Sequence, residues 1–190
     1  MVAVKAPAQL GSLLSTRGSN LPNPRVGDPR KAGNLTSFTF GFPDPDSLPV
    51  ETMAAATAQA VAKDPKWALQ YGKTTGVPAL VDALLAKLAK DQGIVAKPEQ
   101  VMITSGGSQA CQLVIDLLVD PGDTILVEAP TWMGFIYMVN TIKGKCVGVP
   151  LDEQGTDVIA LEAKLKELKA QGITPKLIYV IPNFQNPSGI

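Results

Sequence analysis

Between positions 101 and 181, short apolar runs take turns with segments of helical period, and that pattern leaves few architectures open. Residues 101–104, 124–127, 146–149 and 177–181 are short apolar runs of strand type. Between them, 107–119 carries Ala110, Leu113, Val114 and Leu117 on one helical face, and 131–142 reads as a second helix. Val158, Leu161, Leu165 and Leu168 mark a third helix among lysines and glutamates. Strand and helix in alternation predict an α/β fold, a three-layer α/β/α arrangement over a mostly parallel sheet.

The preceding text differs. GSNLPNPRVGDPRKAGNL is dense in Pro, Gly and Asn, and proline removes donors and fixes φ, so no regular element runs through it. It reads as an extended arm, leading to a short apolar piece at 35–40 and the turn-rich GFPDPDSLP. Asn34-Leu35-Thr36 matches a glycosylation sequon, a pattern frequent by chance. From Glu51, ETMAAATAQAVAK predicts a helix with an acidic start. After the loop KWALQYGKTTG, Val77, Leu80, Val81, Leu84, Leu85 and Leu88 form a continuous stripe, and Gly93 supplies a stop. The division is an arm at 1–50 and a larger unit at 51–190. The last residues, VIPNFQNPSGI, are a turn directly after a buried strand, where a domain rarely closes, so an incomplete domain is expected.

Composition removes several chemistries. Among 190 residues there is no histidine, which excludes Ser-His-Asp and Cys-His nucleophile systems and most zinc sites. Lys plus Arg and Asp plus Glu are 17 each, so no general electrostatic grip on nucleic acid or an anionic membrane is expected. No apolar run reaches the roughly 18 residues of a membrane span. Cys111 and Cys146 form no CxxC and read as free thiols of a reducing compartment, so a cytoplasmic location is expected.

Four turns could carry chemistry. Thr104-Ser105-Gly106-Gly107-Ser108-Gln109 follows an apolar run and opens a helix. Its glycines let backbone amides approach a ligand, and a helix start favours a phosphate. It is neither a Walker loop nor GxGxxG. Glu128-Ala129-Pro130-Thr131-Trp132 follows the next run, where open α/β sheets bind ligands, and its indole could stack on a planar ring. Asn183-Phe184-Gln185-Asn186-Pro187-Ser188-Gly189 follows the last run and offers an amide donor. Leu69-Gln70-Tyr71-Gly72 adds a loop aromatic. Each alone reads rather as a tight turn, a core aromatic, an ordinary loop or a packed tyrosine. Together they outline a pocket for a planar, phosphorylated ring.

The chain resembles the class I/II aminotransferases, and within them the aromatic, 2-aminoadipate and kynurenine branch. The matching text is FGFPDPDSLP, LQYGKTTGVPALVDAL, VMITSGGSQA, LVDPGDTILVEAPTW, VPLDEQG and PNFQNPSG, in family order from about residue 35 onward. The likeness covers the front half of such an enzyme. It implies the large domain of aspartate-aminotransferase type, with residues 1–50 as arm and small-domain segment, and pyridoxal 5'-phosphate as cofactor. It also implies amino acid and 2-oxo acid substrates and a homodimer. Gly107 and Ser108 match the phosphate-binding turn, Trp132 the ring-stacking aromatic, and Asn186 the amide that donates to the phenolic oxygen. Tyr71 matches the tyrosine reaching the neighbouring subunit's cofactor phosphate, and Gly41 the glycine lining the substrate carboxylate. Arg25, by a looser alignment, matches a substrate-contacting arm residue. The Schiff-base lysine of the family has no counterpart up to Ile190, so the chain alone is expected to bind cofactor weakly and to turn over nothing. No metal is implied. Two other readings are a ligand-sensing domain of this type borrowed by a transcriptional regulator, and a dinucleotide-binding domain. The first is disfavoured by the lack of a basic upstream module and the second by the missing glycine fingerprint.

Overall fold

The computed structural model describes residues 14–19 and 43–190. Gly41, Arg25, the sequon and the apolar piece at 35–40 lie outside them. Two compact units are present: Ser105–Ile190 with the described part of Met1–Pro24, and the described part of Arg25–Thr104.

The larger unit begins with one short helical turn, α1 (Thr16–Ser19). The smaller unit holds two helices, α2 (Val50–Lys63) and α3 (Pro78–Gln92). Pro78 sits in the first turn of α3, where its missing N–H has no acceptor to lose, and Gly93 closes the helix in the left-handed conformation. Of the predicted stripe on α3, Val81 is the buried member. Residues 101–104 form no strand, contrary to the expectation from their apolar run. Their backbone is extended at Val101, but a ladder needs a neighbouring strand; Ile103 N–H donates once, to the Thr75 carbonyl at 2.9 Å.

The rest of the larger unit follows the predicted alternation: α4 (Gly107–Leu118), β1 (Thr124–Ala129), α5 (Met133–Thr141), β2 (Lys145–Asp152), β3 (Gly155–Thr156), α6 (Val158–Ala170) and β4 (Leu177–Tyr179). The sheet order is β3-β2-β1-β4. β1 pairs in parallel with β2, from Thr124 opposite Lys145, and with β4, from Ile125 opposite Leu177. Only the short β3 is antiparallel, folding back on Leu151 and Asp152. The sequence pattern missed this hairpin because two residues carry no period.

β1 is the central strand, and its first five residues are buried, as expected where both faces of a parallel sheet are covered. Its side chains alternate between two cores. Ile125 and Val127 pack with Ile115 and Val119 of α4 and Phe135 and Val139 of α5. Leu126 packs on the opposite face with Val149 and with Leu168 of α6. Helices therefore cover both faces, giving the three-layer α/β/α architecture. α6 starts at Asp157, whose carboxylate accepts the Ala160 N–H at 2.9 Å. No helix among the described residues is long and apolar enough to cross a membrane.

Candidate functional site

Parallel strands share one carboxyl edge, and the topology sends three turns there. β1 ends at Ala129 and leads directly to Trp132, the residue that precedes α5. β4 ends at Tyr179 and leads to the turn holding Asn186. α4 returns along the sheet before β1 and spans about 18 Å, close to the roughly 20 Å of β1, so its start reaches the same edge. Contacts agree: Ala110, Cys111 and Val114 of α4 line one cavity of about 220 Å³ with Phe135, Leu177, Ile178 and Tyr179. Phe135 and Tyr179 stack there, centroids 3.7 Å apart and planes within 4°. Gly107 and Ser108, Trp132 and Asn186 thus belong to one unit and one edge of its sheet. Tyr71 lies in the smaller unit, 99% exposed on a loop. Gly41 lies outside the described residues.

The start of α4 is an open cup. Gly106 has φ +91°, a left-handed conformation that glycine adopts without strain, and it turns the chain into the helix. A Cβ at either Gly106 or Gly107 would meet no atom within 4 Å. The first-turn amides of Gly107, Ser108 and Gln109 have no preceding helical carbonyl to serve them, and the dipole is positive there. Gln109 turns back, its Oε1 accepting the Ser105 N–H at 2.6 Å. Ser108 is exposed at the same helix start.

Trp132 is half-buried and packs against the α4/α5 core cluster. Its indole lies over Gly134, where a Cβ would overlap the ring, so glycine is required by close approach. The core role foreseen for this tryptophan is real, and it fixes the indole at the edge. Beside it, Thr131 is 6% exposed and its Oγ1 has no hydrogen-bond partner. A buried hydroxyl without a partner is costly, so Thr131→Val is expected to raise stability by about 1 kcal/mol, read as a higher urea midpoint.

The Asn186 turn is tied to β1 by two residues to which the sequence pattern assigned no role. Glu128, 4% exposed, accepts from Thr156 Oγ1 at 2.9 Å, from the Ile181 N–H at 3.1 Å and from Gln185 Nε2 at 3.0 Å. Gln185, 2% exposed, also donates from Nε2 to the Pro130 carbonyl at 2.8 Å. Its Oε1 accepts the Ser188 N–H at 2.9 Å and the Ser188 hydroxyl at 2.7 Å. A signal was present: a carboxylate closing the buried run TILVE cannot stay there without several donors. The Ala129–Pro130 and Asn186–Pro187 peptide bonds, both next to this network, are cis.

Both cysteines are half-buried free thiols, and burial pushes each thiol pKa up. No cluster of three metal-ligating side chains occurs among the described residues.

An open α/β sheet with a glycine-opened helix start and two turns at its carboxyl edge has the layout in which α/β domains of this class bind ligands. The profile of aminotransferase class I and II matches residues 34–190, and the chain belongs to that family. It is 36% identical over 160 residues to aromatic-amino-acid aminotransferase 1 of Thermococcus litoralis, covering 84% of this chain and 38% of that protein. It is 37% identical over 155 residues to the 2-aminoadipate transaminase of Thermus thermophilus, covering 82% and 36%. The solved kynurenine aminotransferase of Pyrococcus horikoshii, in complex with PMP, is similar with a TM-score of 0.73 and 39% identity, over 79% of this chain and 37% of that one. The chain spans less than two fifths of the length of these relatives. Members of the family use pyridoxal 5'-phosphate.

Proposed function

We propose that this chain is the amino-terminal part of a pyridoxal-phosphate-dependent aminotransferase that moves an amino group between an aromatic or 2-aminoadipate-like amino acid and a 2-oxo acid. The observation that carries the reading is the open Gly106-Gly107 helix start at the same sheet edge as Trp132 and the Asn186 turn. The residues present fit the cofactor. The amides of the α4 start and the Ser108 hydroxyl would hold its phosphate, the Trp132 indole would stack on its ring, and the Asn186 amide would donate to its phenolic oxygen. The bound ring supplies an electron sink.

Gly41 would line the substrate carboxylate. Tyr71 would reach the cofactor phosphate of a second subunit. A homodimer is supported by the smaller unit, where Val50, Met53, Trp67 and Leu69 are exposed together with Tyr71. Free thiols fit a reducing compartment such as the cytoplasm. The substrate assignment rests on the named activities of the relatives. Within residues 1–190 we place phosphate and ring binding, and no group that transfers the proton.

Titration of this chain with pyridoxal 5'-phosphate tests the reading. Saturable quenching of tryptophan emission, competed by inorganic phosphate, is the expected result. Ser108→Ala should weaken binding about tenfold, since hydrogen bonds to charged groups contribute about 1.5–3 kcal/mol. Quenching that ignores both phosphate and Ser108→Ala would refute the assignment.

A further inference from the structure

We infer that Glu128 and Gln185 form a clamp that sets Asn186 in its working position before any ligand arrives; the inference rests on the proposed role of Asn186. Within the turn, burial alternates sharply. Phe184 is 89% exposed, Gln185 is 2% exposed and Asn186 is exposed again. Gln185 spends both faces of its amide inward, donating to Glu128 and Pro130 and accepting twice from Ser188. The turn closes on itself as well, with the Gly189 N–H donating to the Gln185 carbonyl at 2.6 Å and the Gln185 N–H to the Ile190 carbonyl at 2.8 Å. The Asn186 side chain makes no hydrogen bond among the described residues. The neighbour is fully committed, and the residue that faces outward keeps its donors for something else.

The anchor is a carboxylate for a physical reason. Three donors from three separate elements converge on Glu128: a β3 hydroxyl, the backbone just past β4 and the turn itself. Its two acceptor oxygens can take all three donors, and a buried polar group that finds such partners avoids the cost of leaving them unmet. The pair therefore links the carboxyl ends of β1 and β4 across a sequence separation of 57. A turn ordered in advance loses less entropy when a ligand binds, and a supporting shell sets the precision of the group it carries. Glu128 and Gln185 are positioning residues, acting through Asn186.

Amide hydrogen exchange on the 190-residue chain, free of cofactor, tests the clamp. Gln185→Leu and Glu128→Leu should each speed exchange at Ser188, Gly189 and Ile190 by about tenfold or more, while β1 amides keep their parental rates. Glu128→Gln retains an acceptor for Ile181 and Gln185 and an amide for Thr156, and should restore rates to within about threefold of the parent. Asn186→Ala should leave exchange unchanged. Parental exchange in Gln185→Leu, or equal acceleration in β1 and in the turn, overturns the clamp. Titration of the same variants with pyridoxal 5'-phosphate separates the two ideas. Weakened binding in both Gln185→Leu and Asn186→Ala supports the clamp and the role of Asn186. Accelerated exchange in Gln185→Leu, with Asn186→Ala binding as tightly as the parent, supports the clamp and refutes that role.

Discussion

Ser108→Asp is expected to abolish cofactor binding while strengthening the fold. A carboxylate in the first turn of α4 interacts favourably with the positive helix end, worth about 0.3–1 kcal/mol at an exposed position. The same carboxylate would stand where the proposed phosphate must sit, facing the open space above Gly106 and Gly107. Two anions about 4 Å apart repel by roughly 4 kcal/mol near a protein surface, and the Ser108 donor is lost as well. Together these correspond to a fall in pyridoxal-phosphate affinity of about ten-thousandfold or more. The urea midpoint should rise or hold. A thermodynamic gain paired with loss of the ligand identifies a binding residue, because damage to the fold would lower both. Loss of stability together with retained quenching would place the phosphate elsewhere.

Extending the chain to the length of its relatives is expected to create an amino-group transfer activity that residues 1–190 alone are expected to lack. Amino-group transfer needs a positioned base to move a proton and an amine to hold the cofactor covalently. Residues 1–190 contain no histidine, and in the proposed reading none of their lysines is the one that holds the cofactor. Binding without these groups supplies orientation alone. A positioned acid–base group contributes about 10²–10⁴-fold, and a covalent tether adds to that. The expected result is product formation from kynurenine or 2-aminoadipate with 2-oxoglutarate by the extended protein, and at least about 10⁴-fold less by the present chain. Equal rates would overturn the division of labour proposed here.

The two predictions draw on different sources of information. The Ser108 turn was legible in the sequence because its signal is local: small residues, a helix period and a preceding apolar run lie within about fifteen positions. The same holds for α3, where the stripe and Gly93 marked the helix and its end. Trp132 was legible as a residue but not as an arrangement. Its packing over Gly134 needed coordinates. The apolar run at 101–104 misled, since a strand is defined by its neighbour and not by its own composition.

The sequence by itself determined the layered α/β plan, the apolar run that becomes β1 and the glycine-opened helix start. Each of these depends on short apolar runs, on the helical period of 3.6 residues or on backbone freedom at single positions. Only the tertiary structure decided the strand order β3-β2-β1-β4 and the union of Glu128 with Gln185. Pairing between residues 57 apart leaves no periodic trace. It follows from which strands become neighbours and from the need of a buried carboxylate to gather every donor within reach.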